Sequence, residues 1–197
     1  MALFAGAWLT SILLAAAGET AAQDSGRGGG LALGDGLAFG VGAGIGAAST
    51  HFHLPRHGED WRIGPVLGAR FGAQVGPVPL WLIADYQAFH ASGERENVRD
   101  FRTLYVLALA EFPFGAGSLQ LGGGPVFYDY EGLQSPTDRS RKVGFAVGAS
   151  VSRALSSRLQ LELGIRTGRA AGVQSYLLAL QLAHYWGVAD PRPGPGR

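Results

Sequence analysis

From Leu37 onward the chain alternates apolar residues with polar or bare ones at a period of two, and it does so in one segment after another. In the first segment Leu37, Phe39, Val41, Ala43, Ile45 and Ala47 alternate with Gly40, Gly42, Gly44 and Gly46. Successive side chains of a strand point to opposite faces, whereas a helix repeats near 3.6 residues, so this pattern predicts strands. The second segment sets Trp61, Ile63, Pro65, Leu67, Phe71 and Val75 against Arg62, Gly64, Gly68, Arg70, Gly72 and Gln74. Further on, Val143, Phe145, Val147, Ala149 and Val151 alternate with Lys142, Gly144, Gly148, Ser150 and Ser152, and Leu159, Leu161, Leu163 and Ile165 with Arg158, Gln160, Glu162, Gly164 and Arg166. A face of Arg, Gln, Glu and glycine cannot be the dry core of a soluble protein. The apolar face is therefore expected to be the one removed from water.

Four more segments, at about Leu80 to His90, Arg102 to Phe112, Leu119 to Tyr130 and Tyr176 to Trp186, bring the strand count to eight. The Arg102 to Phe112 segment is apolar on both faces and leaves its facing open. Connections alternate in kind. Long polar ones fall near His51 to Asp60, Ala91 to Asp100, Glu131 to Arg141 and, less extended, Gly168 to Gly172; short ones fall at Gly76 to Pro79, Gly115 to Gly117 and Ala154 to Ser157. An even number of strands with short turns at one end and longer loops at the other predicts an all-β, eight-stranded antiparallel up-and-down transmembrane β-barrel, with both termini in the periplasm. Aromatics cluster at both ends of these segments. Trp61, Tyr86, Phe89, Phe101, Tyr105, Tyr128, Tyr130 and Tyr176 lie beside the long loops, and Trp81, Phe112, Phe114, Tyr185 and Trp186 beside the short turns or the last strand end, as two interfacial girdles would require.

On these residues the chain, from about Gly36 to Val188, resembles the small outer-membrane barrels of the OmpA transmembrane-domain and OmpX type. The resemblance is one of pattern, carried by no short motif. It implies residence in the bacterial outer membrane, contact with outer-membrane lipid and lipopolysaccharide, insertion by the barrel-assembly machinery, and a monomer. A Pro- and Gly-rich tail follows the last strand, where the family commonly ends on an aromatic, and Trp186 is the residue placed to serve as that aromatic.

The ends of the chain are read separately. Residues 1–22 are expected to form a signal peptide, with the apolar run Leu3 to Ala17 followed by Thr20-Ala21-Ala22 as a small-residue cleavage site. That run is shorter than the ~20 residues a membrane helix needs. Residues 23–35 form a Gly-rich lead, 36–188 the outer-membrane barrel, and 189–197 a periplasmic tail. The formal net charge of +1 gives no footprint for nucleic acid. The absence of cysteine excludes disulfides, thiolate metal sites and a lipidated anchor.

An eight-stranded barrel is only wide enough for its interior to be filled by side chains. Arg62, Arg70, Asp85, Glu111, Lys142, Glu162 and Arg166 are all expected to point inward and to form a lumen charge network. The many inward glycines make room, so a file of water or a narrow passage stands as an alternative to a packed polar plug. His51, His53 and His57 share one long loop, but two strand-spaced imidazoles and a third do not complete a metal site, and ordinary loop histidines are expected. His90 and Ser92, with Glu94 or Glu96 as an acid, resemble the His-X-Ser of outer-membrane lipid A deacylases in three letters alone. No catalytic residue, metal or cofactor is assigned. The function expected is a structural or surface-interaction barrel with a mostly plugged polar lumen; the alternatives are a narrow pore and a lipid A-modifying hydrolase.

Overall fold

The computed structural model describes residues 37–52, 61–75, 78–90, 98–114, 117–132, 139–156 and 158–187. The leader, the Gly-rich lead and the tail inferred from the sequence lie outside the described residues. Eight strands run in chain order: β1 (Leu37–Phe52), β2 (Trp61–Val75), β3 (Val78–His90), β4 (Val98–Phe114), β5 (Gly117–Gly132), β6 (Arg139–Ala154), β7 (Leu159–Ala170) and β8 (Val173–Trp186). Each pairs antiparallel with the next, and β1 pairs with β8 from Phe39↔Trp186 to Phe52↔Val173, closing the barrel. Closure removes the edge at which unpaired backbone groups would otherwise be left.

Alternation becomes facing. Along β7 buried Gln160, Glu162, Gly164, Arg166 and Gly168 point into the lumen, while Leu161 and Ile165 are exposed outside. The same parity holds around the wall. Leu37, Ile45, Ile63, Val143 and Phe145 are each more than 60% exposed on the exterior. In β4, whose facing the sequence leaves open, Phe101, Thr103, Tyr105, Leu107, Leu109 and Glu111 are buried inside.

Two prolines interrupt the pairing, because proline supplies no backbone donor. The β2–β3 ladder stops at Val66↔Gln87, beside Pro65. In the β4–β5 ladder, Tyr105↔Val126 and Ala108↔Gly123 flank an unpaired step opposite Gly124 and Pro125.

The loop asymmetry is weaker in one place than the sequence suggests. Ala171 and Gly172 alone connect β7 to β8, with Gly172 at φ 74°, so the fourth connection of the loop rim is a tight turn. The strands run on through residues that read as loop, because polar side chains at a strand end face water and do not oppose pairing. At the other rim, residues 155–158 join β6 to β7, with the Leu155 and Ser156 amides donating to the Leu159 carbonyl at 2.8 and 3.1 Å.

Candidate functional site: the lumen

Four charged side chains meet at mid-barrel from β2, β3 and β7. Arg70 Nη1 donates to Asp85 Oδ1 at 2.7 Å, and Arg70 Nε and Nη2 both donate to Glu162 Oε2 at 3.3 Å. Arg166 Nη2 donates to Glu162 Oε1 at 2.9 Å, and Arg166 Nε to Asp85 Oδ2 at 3.2 Å. Each guanidinium therefore bridges both carboxylates, and each carboxylate is held by both guanidiniums. All four side chains are 1% exposed. Arg suits this role because its planar fork presents several donors in fixed directions. Gln181 of β8 completes the ring: its Oε1 accepts from Arg70 Nη2 at 3.2 Å and its Nε2 donates to Asp85 Oδ1 at 3.1 Å.

The remaining residues of the expected network stand apart from this quartet. Arg62 shares β2 with Arg70 but sits eight positions away, roughly 26 Å at a strand rise of about 3.3 Å per residue. Lys142 lies near the loop-rim end of β6, where its ammonium donates to the Ala171 carbonyl at 2.6 Å. Glu111 is buried, but its Oε2 accepts from the Trp81 indole N–H. Gln181 escapes a search for charges, yet Ser175, Ala179, Gln181, Ala183 and Tyr185 share one parity along β8, and that signal is present in the sequence.

No protein-family model matches the sequence, and no curated protein matches it. Solved structures do. Neisserial surface protein A (NspA) aligns with a TM-score of 0.58 at 16% identity, over 76% of this chain and 98% of that one. Ail, the attachment invasion locus protein of Yersinia pestis, aligns with a TM-score of 0.53 at 15% identity over 76% and 98%. The outer membrane protein OprG from Pseudomonas aeruginosa aligns with a TM-score of 0.50 at 11% identity over 80% and 98%. This chain has the fold of the small outer-membrane β-barrels. At such identities the likeness establishes the fold and carries no activity with it.

Within that fold the lumen differs from a purely polar interior. Ile83, Leu107, Leu109, Val126 and Leu177 are fully buried inside, since β3, β4, β5 and β8 carry apolar residues on both faces. Five aromatics that the girdle pattern would put against lipid also point inward and are buried: Trp81, Phe101, Tyr105, Tyr128 and Tyr185. Toward the loop rim, the Tyr105 and Tyr128 hydroxyls each share a 2.7 Å hydrogen bond with Ser175 Oγ. Toward the turn rim, Trp81 and Tyr185 meet edge to face at 5.2 Å.

Five of the inward glycines are the seats of large side chains, not open space. A Cβ at Gly72 would lie 2.6 Å from the Trp81 ring, one at Gly40 2.6 Å from the Tyr185 ring, and one at Gly168 2.6 Å from the Tyr128 hydroxyl. A Cβ at Gly148 would lie 2.7 Å from Arg166 Cδ, and one at Gly164 2.5 Å from Arg166 Nη1. Glycine content and lumen packing are thus one feature: bare backbone on one strand admits a ring or guanidinium from another. Gly72→Ala is expected to cost about 1–3 kcal/mol by overpacking against Trp81. Urea unfolding of the refolded variant checks this, and a neutral result would mean that the Trp81 ring moves freely.

Of the other candidates, His90 ends β3, but its side chain and Ser92 lie outside the described residues, as do Glu94 and Glu96. His53, His57 and the His51 side chain also lie outside them. Among the described residues no group of three or more His, Cys, Asp and Glu is arranged to hold a metal ion.

Proposed function

We propose that this chain is a resident of the bacterial outer membrane, with periplasmic termini, whose lumen is closed by the Arg70–Asp85–Glu162–Arg166 quartet and whose role is structural or one of surface interaction. The observation that carries the membrane part is the exterior. Large apolar side chains stand exposed around the whole wall, from Leu37 and Ile45 through Ile63 and Leu82 to Phe145, Leu180 and Trp186. A soluble monomer rarely exposes an apolar patch beyond a few hundred Å². Only lipid can cover a ring of strands on every side.

The upper limit of that wall supports the same reading. Leu104, Phe127 and Val143 lie opposite one another on β4, β5 and β6, and one register step toward the loop rim Arg102, Asp129 and Arg141 replace them. A change from apolar to charged within two residues on three adjacent strands matches the passage from hydrocarbon to headgroups. Outer-membrane lipid and lipopolysaccharide are the partners this border would meet, and the barrel-assembly machinery the one that would insert it. A monomer fits, since closure leaves no strand edge to share.

For the lumen, the supporting observation is that its mid-barrel charges are paired and that the glycine positions beside Trp81, Tyr128, Tyr185 and Arg166 are occupied by those side chains. A narrow pore remains the competing reading and a lipid A-modifying hydrolase a more distant one. Cell fractionation and planar-bilayer recording test the proposal together. Recovery in the outer membrane with no stepwise conductance is expected. Recovery as soluble periplasmic protein would overturn the membrane reading, and regular single-channel steps would replace the closed lumen with a pore.

A further inference from the structure

The mid-barrel quartet is neutral in sum, because Arg70 and Arg166 balance Asp85 and Glu162. Glu111 lies outside that balance. Its side chain faces the lumen from β4 near the turn rim and is 4% exposed. The Trp81 indole holds Oε2, but Oε1 has no hydrogen-bond partner among the described residues, and no Lys or Arg among them pairs with this carboxylate. The Tyr185 hydroxyl, whose ring packs edge to face on the same Trp81 that donates to Glu111, has no partner among them either. A buried carboxylate without a countercharge is among the costliest arrangements a protein can hold, and an unused oxygen and an unused hydroxyl near one another call for a shared ligand.

We propose that Glu111 and Tyr185 form a binding site for a small monovalent cation, sodium or potassium, reached from the turn rim. One carboxylate matches one positive charge. Calcium and magnesium carry a second charge that a single carboxylate leaves unbalanced, and among the described residues no cluster of acids stands here to supply it. The rings of Trp81 and Tyr185 wall this layer. They are seated over Gly72 and Gly40, which leaves no room between ring and wall for an organic ammonium. Access comes from the short-turn side: Pro113, the next inward position on β4, is exposed. The site goes beyond the membrane and plug readings and requires neither, since it rests only on the lumen side chains of the folded barrel.

The test uses the full-length barrel refolded in zwitterionic detergent and unfolded by heat in sodium, potassium or choline chloride at equal ionic strength. The midpoint is expected to be higher in sodium or potassium than in choline, with a saturable titration, and Glu111→Gln is expected to abolish the difference. Equal midpoints in all three salts overturn the site, as does a difference that survives in Glu111→Gln. Should Glu111→Gln fail to refold, Tyr185→Phe takes its place, because it keeps the ring and removes only the hydroxyl. A weakened cation response then supports the site, and an unchanged one overturns it.

Discussion

Glu162→Gln is expected to lower the stability of the refolded barrel by about 3–5 kcal/mol, the range for breaking a buried ion pair from one side. Glu162 accepts from both guanidiniums of the quartet, at 2.9 Å from Arg166 and 3.3 Å from Arg70. The amide keeps the shape and one acceptor but removes the charge, leaving Asp85 alone between two arginines that are 1% exposed. The cost comes from the stranded cation more than from the lost attraction. Adding Arg166→Gln restores neutrality, so the double variant is expected to lose less than the sum of the two single ones. Urea unfolding in lipid vesicles measures all three, and planar-bilayer recording shows whether the loosened quartet admits ions. A Glu162→Gln barrel as stable as its parent would mean that water, not Arg70 and Arg166, carries the Glu162 charge.

The quartet's members were legible in the sequence, but its membership was not. Parity puts Arg70, Asp85, Glu162 and Arg166 on inward faces, and the same parity puts Arg62, Glu111 and Lys142 there too. What separates the two groups is height in the barrel, set by register and stagger between strands. Gly68↔Asp85 and Glu162↔Gln181 bring four strands to one level, and no pattern within a single strand contains that information. Glu111, Arg62 and Lys142 lie at other levels and find other partners.

The aromatics show a different limit. Proximity to a strand end suggests a girdle, and for Trp61, Tyr86, Phe112, Phe114 and Trp186 the exposed side chains agree with that. Trp81 shares a face with Ile83, Asp85 and Gln87, and Tyr185 with Gln181 and Ala183, so parity points both rings inward whatever their distance from the rim. Tyr105 and Tyr128 follow the same rule. Ring chemistry is indifferent between a membrane interface and a glycine-floored lumen, whereas parity is not. The facing of β4 was illegible for a plainer reason: Leu104, Val106, Leu107 and Leu109 make both of its faces apolar. Its inward set is fixed by what it meets across the lumen, with Tyr105 reaching Ser175 and Glu111 reaching Trp81.

Val147→Arg is expected to cost about 2–4 kcal/mol when the barrel is refolded into lipid vesicles, the range for a cation near the bilayer midplane. Val147 lies near the middle of β6, is 47% exposed on the exterior, and has Val143, Phe145 and Val151 as its outward neighbours along the strand. Its distance from both ends of β6 keeps an arginine there from reaching either rim with its guanidinium. The matched control is Arg141→Leu, six residues along the same outward row, where the native guanidinium is 75% exposed beyond the apolar wall. Removing that charge is expected to change stability by no more than about 0.5 kcal/mol, as ordinary surface substitutions do. The pair separates lipid from water as the solvent of the exterior: in water Val147→Arg would be nearly neutral, since its side chain already stands exposed. A loss at Val147 in vesicles with none at Arg141 locates the hydrocarbon boundary between them on β6. Equal, small effects at both positions would remove the membrane from the account of this wall.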